Sequence, residues 1–403
     1  PPGRQPASVR GGHLVTRPRV VHLTTTDMSL DWLLRPQLEA FVAAGYDVIG
    51  MSAPGPHVAA LEASGIRHVA VPALTRTLAP LDDLRALRAL HVEFRRLRPD
   101  IVHTHNPKPG VLGRLAARAA AVPVVVNTVH GLYALPGDPV AKRAAVYALE
   151  RLAVTCSDAE MLQSPEDFPV LRRLGVPHRK LTVLGNGIDL RRFDPATVAP
   201  GTRARVRAEL GVDDDAVVVG AVGRLVGEKG YRELFAAMER LVDTAATLVV
   251  VGPEETGKAG ALTAAELGAA RAAGVRLLGR RDDMVDLYTA FDVAVLASHR
   301  EGFPRAAMEA AAMGLPLVAT DVRGCRQVVA DGVTGELVPV GDPAALAAAL
   351  RRLVASPPRR SHQGAAARQR AMRDFDDRRV VETTLGTYDR LLARAARPAM
   401  AVS

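Results

Sequence analysis

The sequence predicts an α/β protein made of two doubly wound parallel sheets, and three observations carry that expectation. Short runs of β-branched residues alternate with amphipathic helical stretches. The alternation breaks once, in the Gly/Asp/Pro-rich stretch GNGIDLRRFDPATVAPG, and then restarts. Most of the loops that could carry chemistry follow strands, where open parallel sheets bind their ligands. A length of 403 residues also favours two domains over one.

In chain order, VVHLTTT from Val20 reads as a strand, followed by a helix that Gly45 stops and a second strand, DVIGMSA. IRHVAVP adds a strand, and LDDLRALRALHVEFRRLR a helix that Pro99 stops. DIVHTH is a strand ending in a loop, and VLGRLAARAAAVPVVVNTVHG repeats helix then strand. After the break come AVVVGAVGRL, a helix over 231–242, ATLVVVG, a helix, VRLLG, a helix, VAVLAS, a helix, PLVAT, GELVP and a helix over 343–354. The last helical segment, near RDFDDRRVVETTLGTYDRLLARAA, belongs to no evident strand. The expected divisions are a flexible tail over 1–18, a domain over 19–190, a second over 191–375, and a helix over 376–398 packing back toward the first.

With 48% apolar and 24% charged residues, most of the chain should fold as a soluble globular protein. The formal charge of +9 favours an anionic partner without choosing among nucleic acid, membrane surface and phosphorylated small molecules. With only 6 Tyr, 8 Phe and 1 Trp, the chain offers little aromatic stacking for nucleic acid. Cys156 and Cys325 lie far apart with no CxxC spacing, which argues against a zinc site or a disulfide scaffold and suits a reducing cytosol. No stretch reaches the apolar length of a membrane span, and PPGRQPASVRGGHLVTRPR lacks the apolar centre of a secretory signal.

Three loops could carry chemistry. In VGRLVGEKGYREL, Arg224 and Lys229 flank a glycine-containing turn that opens a helix, an arrangement suited to a diphosphate. It is no Walker loop, and no GxGxxG follows the first strand, so a dinucleotide cofactor has weak support. HREGFPRAAMEAAAMG sets Glu301 ahead of a helix that Pro304 would start from its first turn, leaving amides near Gly302, Phe303 and Arg305 to meet an anion. Glu309, among alanines further down, is expensive there without a partner, and either glutamate could accept bonds from hydroxyls beside a phosphate. The third loop set is DIVHTHNPKPG, with His103, His105, Asn106 and Lys108, and VVVNTVHG, with His130 at its mouth. His103 and His105 share a strand face, yet no third His or Cys joins them at ligand spacing, so no metal is expected. Asp213/Asp215 and Asp374/Asp376 are away from strand ends and read as solvated. With no GxSxG elbow and no Cys/His arrangement suited to a nucleophile, a hydrolase has little support.

Taken together, Glu301 and Glu309 at a spacing of eight, VGRL..EKG, GNGID and RRFDP resemble family 4 glycosyltransferases of the GT-B fold, over about residues 19 to 395. HTHNPKPGVLGRLAARAAAVPVVVNTVHGL and REGFPRAAMEAAAMGLPLVATDVRGCRQVVADGVTGELVP also look like bacterial enzymes that extend lipid-linked oligosaccharides. The resemblance implies two Rossmann-like domains facing each other across a cleft, the first binding the acceptor and the second the nucleotide sugar. It implies that Arg224 and Lys229 stabilise the leaving diphosphate, with the segment Gly302, Phe303, Pro304 and Arg305 beside it and the amides around Phe303 and Arg305 meeting the phosphates. Glu301 would hold sugar hydroxyls, Glu309 the ribose, Gly279 and Arg280 the base, and His130 the donor sugar near the reacting centre. Transfer would proceed with retention, without metal or cofactor, to a glycan or lipid-linked saccharide. Where many relatives have a glycine-rich loop after the first strand, this chain has TTTDMSLDWLL, so its acceptor loop is of a different type.

His105, Asn106, Lys108 and the Lys142/Arg143 pair are acceptor-side candidates, and the basic helix over 84–98 is a candidate for peripheral contact with an anionic membrane on its cytoplasmic face. The competing reading on the same fold is a nucleotide-sugar 2-epimerase. It would need acid/base residues around the sugar and no acceptor site.

Overall fold

The computed structural model describes residues 9–10, 13–14, 17–75, 79–132, 134, 138–213, 215–255 and 260–396. Most of the expected N-terminal tail lies outside the described residues; within it Val9–Arg10 and His13–Leu14 pair antiparallel. The chain divides into two units, one of residues 1–185 and 379–403, the other of residues 186–378.

The first unit holds a seven-stranded parallel sheet: β1 (Arg19–Thr26), β2 (Asp47–Ala53), β3 (Arg67–Ala70), β4 (Ile101–His105), β5 (Val124–Val129), β6 (Ala159–Leu162) and β7 (Leu181–Val183). Their spatial order is β3-β2-β1-β4-β5-β6-β7. The direction of winding reverses between β1 and β4, the place where doubly wound sheets bind ligands. β4, β5 and β6 are buried along their whole length, as strands covered on both faces must be. The helix Pro107–Ala119 is fixed against the sheet by Arg114, fully buried, which donates to Glu160 Oε1 at 2.7 Å and Glu150 Oε2 at 2.8 Å. Breaking such a pair from one side strands a buried charge, which typically costs about 3–5 kcal/mol. Residues 379–395 of the C-terminal helix pack Tyr388 and Leu391 into the same core as Val20, Leu30 and Phe41.

The second unit holds a six-stranded parallel sheet: β8 (Val217–Val222), β9 (Ala246–Val251), β10 (Arg276–Leu277), β11 (Val293–Leu296), β12 (Leu317–Thr320) and β13 (Gly335–Val338). The order is β10-β9-β8-β11-β12-β13, with the reversal between β8 and β11. Local signals set several helix starts. Thr263 and Glu266 form a reciprocal capping box, and Asp342 accepts from the Ala345 amide at 2.9 Å.

Candidate active site

At the reversal of the second sheet, the loop after β8 and the loop after β11 are joined. Lys229 Nζ lies 2.5 Å from Glu301 Oε1, and the same oxygen accepts from Ser298 Oγ at 2.6 Å. The His299 amide donates to the Glu228 carbonyl at 2.9 Å. Tyr231, buried, donates from its hydroxyl to the Gly223 carbonyl at 2.8 Å and so fixes the start of the loop. Gly230 makes the junction possible: at φ +70° a Cβ would stand 1.9 Å from the Ala297 carbonyl oxygen. Gly324 allows a second close approach, since a Cβ there would lie 2.7 Å from the Glu301 backbone. Arg224, 35% exposed, has its nearest carboxylate in Glu255 at 3.9 Å.

Pro304 is the N-cap of the helix Arg305–Ala312 instead of its first helical residue. The expected consequence survives the shift. The first intrahelical amide donor is Met308, to the Pro304 carbonyl, so the amides of Arg305, Ala306 and Ala307 precede the hydrogen-bonded ladder. Phe303 packs edge-on against Phe375 with centroids 5.9 Å apart. Glu309 is no surface acid. Its side chain is 14% exposed, it accepts from the Tyr288 hydroxyl at 3.1 Å, and Arg305 Nε lies 4.0 Å away. Burial raises its carboxyl above the ordinary carboxylate value, while Arg305 and the Tyr288 bond pull it down. Gly279, with a left-handed φ of +66°, accepts from the Gly252 amide at 2.8 Å, and Arg280 beside it is exposed and 3.4 Å from Asp282. Asp374 and Asp376, expected to be solvated, are paired with Arg373 and Arg378 respectively.

In the first unit Asn106 caps the helix Pro107–Ala119 at φ 68°, ψ 158°, a region almost reserved for glycine, and its Oδ1 accepts from the Thr25 amide at 3.3 Å. Lys108 is held by Asp83 and by the Thr75 hydroxyl, so an acceptor phosphate would have to displace these partners. Lys142 pairs with Asp138 at 2.7 Å.

His103 and His105 do share a face, and here sequence spacing misses a neighbour. His22 on β1 lies directly beside His103 on β4, and one ring nitrogen from each of His22, His103 and His105 falls within 4.8 Å of the others. The expectation that no third histidine joins the pair therefore holds along the chain and fails in space, because strand pairing joins residues 81 positions apart. Burial keeps all three rings neutral, with His22 pushed down to about 3 and His103 and His105 well below the usual imidazole range. His130 at the end of β5 is lowered to about 4 by the same cause.

Two Rossmann-like parallel sheets, of seven and six strands, define the GT-B fold as the class. Residues 33–192 match the model "Glycosyltransferase Family 4" and residues 202–370 the model "Glycosyl transferases group 1". A UDP-Gal:α-D-GlcNAc-diphosphoundecaprenol α-1,3-galactosyltransferase from Escherichia coli is 32% identical over 69% of this chain and 72% of its own. A D-inositol 3-phosphate glycosyltransferase from Xylanimonas cellulosilytica is 36% identical over 74% and 73%. The crystal structure of Anabaena HepE in complex with UDP and glucose superposes with a TM-score of 0.74 at 20% identity, over 92% of this chain and 99% of that one. The chain belongs to the family 4 glycosyltransferases.

Proposed function

We propose that the protein moves a hexose or N-acetylhexosamine from a nucleoside diphosphate sugar, a UDP-sugar first, to a polyprenyl-diphosphate-linked saccharide in cell-surface glycan assembly, with retention of configuration. The observation that carries this reading is the joined pair of loops at the β8/β11 reversal. It presents Arg224, Lys229 and the Arg305–Ala307 amides as donors for a diphosphate, with Glu301 and Glu309 as acceptors for hydroxyls. The E. coli relative's name supplies the donor and acceptor classes.

In this reading the bond from the anomeric carbon to the β-phosphate oxygen breaks as the acceptor oxygen bonds to that carbon from the same face. The acceptor proton passes to the departing phosphate oxygen. Lys229 and Arg224 take up the charge growing on the diphosphate. Lys229 can do so by loosening its bond to Glu301, which then turns to the sugar hydroxyls. Glu309 holds the ribose, Gly279 and Arg280 the base, and His130 the donor sugar. His105, Asn106 and Lys108 serve the acceptor.

Among the described residues no helix is long and apolar enough to cross a membrane. The helix Pro80–Leu97 exposes Leu81 and Leu84 beside Arg88 and Arg95, and a lipid-linked acceptor would bring that face to an anionic bilayer. Flotation with anionic and neutral vesicles tests this contact, and equal recovery with both would refute it.

The central test incubates the protein with UDP-sugars and either a polyprenyl-diphosphate-linked saccharide or D-inositol 3-phosphate, and reads the product anomer by NMR. Retained linkage to the lipid-linked acceptor supports the proposal. Transfer to inositol phosphate alone would move the acceptor to the class named for the Xylanimonas relative. Epimerised sugar from donor alone would overturn transfer altogether.

A further inference from the structure

We propose that Tyr388, His22, His103 and His105 are positioning residues for His130, joined to it by one unbroken chain of hydrogen bonds that gives its ring a single tautomer. The chain runs within the first unit. Thr128 Oγ1 meets His103 Nε2 at 2.7 Å, and His103 Nδ1 meets the Tyr388 hydroxyl at 2.5 Å. That hydroxyl lies 3.4 Å from His22 Nε2, and His22 Nδ1 is 3.0 Å from His105 Nε2. His105 Nδ1 is 3.1 Å from His130 Nε2, and the Gln163 side chain hydrogen-bonds the His130 ring. His22, His103, His105 and Tyr388 are each at most 2% exposed, so water does not compete for these links.

A metal ion is the obvious rival for three clustered imidazoles, and the geometry disfavours it. The rings of His22 and His105 are 19° from parallel with centroids 5.3 Å apart and facing nitrogens 3.0 Å apart. They therefore lie end to end, with a proton's space between them. His103 lies against the face of His105, with centroids 4.3 Å apart and planes at 26°, and both its nitrogens are committed to oxygens. The rings do not converge on a common point.

A neutral imidazole has one donor and one acceptor nitrogen. With the Tyr388 hydroxyl giving its one proton along the chain, such rings in series have two concerted arrangements, every link pointing toward His130 or every link pointing away. The unlike ends, the Thr128 hydroxyl and the Gln163 amide, make them unequal in energy so that one predominates. Pointing toward it, Tyr388 donates to His22, His22 to His105, and His105 to His130 Nε2, so His130 carries its proton on Nδ1. In the other arrangement each donor and acceptor exchanges place, and His130 Nδ1 becomes an acceptor. The Gln163 side chain, and a sugar hydroxyl that shares or replaces its bond to the His130 ring, thus meet a donor or an acceptor according to the state of a tyrosine on the C-terminal helix. Removing the phenol oxygen separates His103 from His22 and releases His22, His105 and His130 to take either state.

The inference rests on the reading that His130 acts on the donor sugar, and the experiment separates the two. The full-length protein is labelled with 15N-histidine, and long-range proton–nitrogen correlations read the tautomer of each ring. In the wild type, one tautomer for each of the four rings at neutral pH is expected; mixed tautomers there would overturn the proposal without any variant. Tyr388→Phe should turn His130 into a mixture and lower kcat about tenfold, the equivalent of one hydrogen bond, with KM for the UDP-sugar unchanged. If His130→Ala is inactive while Tyr388→Phe keeps wild-type kcat and tautomers, the positioning role is wrong and the reading of His130 stands. If His130→Ala transfers normally, it is the reading of His130 that fails. Stoichiometric zinc binding that His103→Phe abolishes would overturn the chain in favour of a metal site.

Discussion

The two units wind their sheets in the same order and reverse at the same place, yet they equip that place differently. In the first, the strands flanking the reversal, β1 and β4, carry His22, His103 and His105, neutral and sealed from water. In the second, the loops after β8 and β11 carry ions, Lys229 and Glu301 in contact and Arg224 partly exposed. The difference shows what the topology leaves open. A reversal creates a place where backbone diverges, and the side chains decide whether it handles charge or relays hydrogen-bond direction.

The sharpest way to break this contrast is to remove the charge. Lys229→Ala should reduce kcat by about 10²–10³, the usual loss for a fixed donor on a leaving group, while circular dichroism and melting temperature stay near wild type. Near-normal initial rates would show that the ion-bearing loops are not where the diphosphate is stabilised. Gly230→Ala attacks the same site through its backbone. A Cβ at left-handed φ against the Ala297 carbonyl should destabilise the protein by about 2–5 kcal/mol, read from urea unfolding. Glu309→Gln keeps the shape and removes the negative charge from the helix Arg305–Ala312, and should raise KM for the UDP-sugar by about 10–100-fold, as a lost charge-assisted hydrogen bond does. An unchanged KM would remove Glu309 from ribose binding.

The first unit should respond instead to acid. In the unfolded chain each of the four imidazoles takes up a proton near the ordinary value of 6.5, whereas in the fold His22 and His130 resist until about 3 and about 4. Below 6.5 the unfolded state therefore binds more protons, and stability must fall as pH falls, by up to ~1.4 kcal/mol per ring per pH unit. Unfolding free energies from urea at pH 7.5, 6.5 and 5.5 (values chosen at about unit spacing around the free imidazole pKa) should fall over both intervals, by about 0.35 kcal/mol per ring over the first and about 1 kcal/mol per ring over the second. A flat profile throughout would mean that the rings are not buried neutral.

Much of this was legible in the sequence, and what was missed shares a cause. The β-branched strands and the cations and acids after β8 and β11 are local signals, read from spacing alone. The segment 140–183 carries no strong period, although it forms the helix Val140–Thr155 and the strands β6 and β7. β6 reads AEML, and its Glu160 looks like a surface residue until Arg114, 46 positions away, neutralises it in the core. The helix Pro357–Asp374 is hard to read for a related reason, since its charged PPRRSHQG opening conceals an inner face of Gln363, Gly364, Ala367 and Ala371. His22 belongs to the same class: in VVHLTTT nothing marks it as polar function, and only the β1/β4 register brings it to His103. Polar residues satisfied by distant partners are invisible to periodicity.

The smallest expected effect concerns two helix N-caps, Asn106 in the first unit and Gly230 in the second, which have nearly the same φ, 68° and 70°. At Gly230 the neighbouring carbonyl leaves no room for any side chain. At Asn106 a side chain is present and its amide oxygen accepts from Thr25, so the backbone strain of about 1–3 kcal/mol is set against a bond of about 0.5–1.5 kcal/mol. Asn106→Gly should therefore change stability by less than about 1 kcal/mol, because strain is released as the bond is lost. Asn106→Ala keeps the strain and loses the bond, and should destabilise by about 0.5–1.5 kcal/mol. If both variants lose the same amount in urea unfolding, the hydrogen bond to Thr25 is what matters at this cap. If only the alanine variant loses stability, the backbone conformation is the requirement at Asn106, whose ψ of 158° sets it apart from the ψ of 27° at Gly230 despite the shared φ.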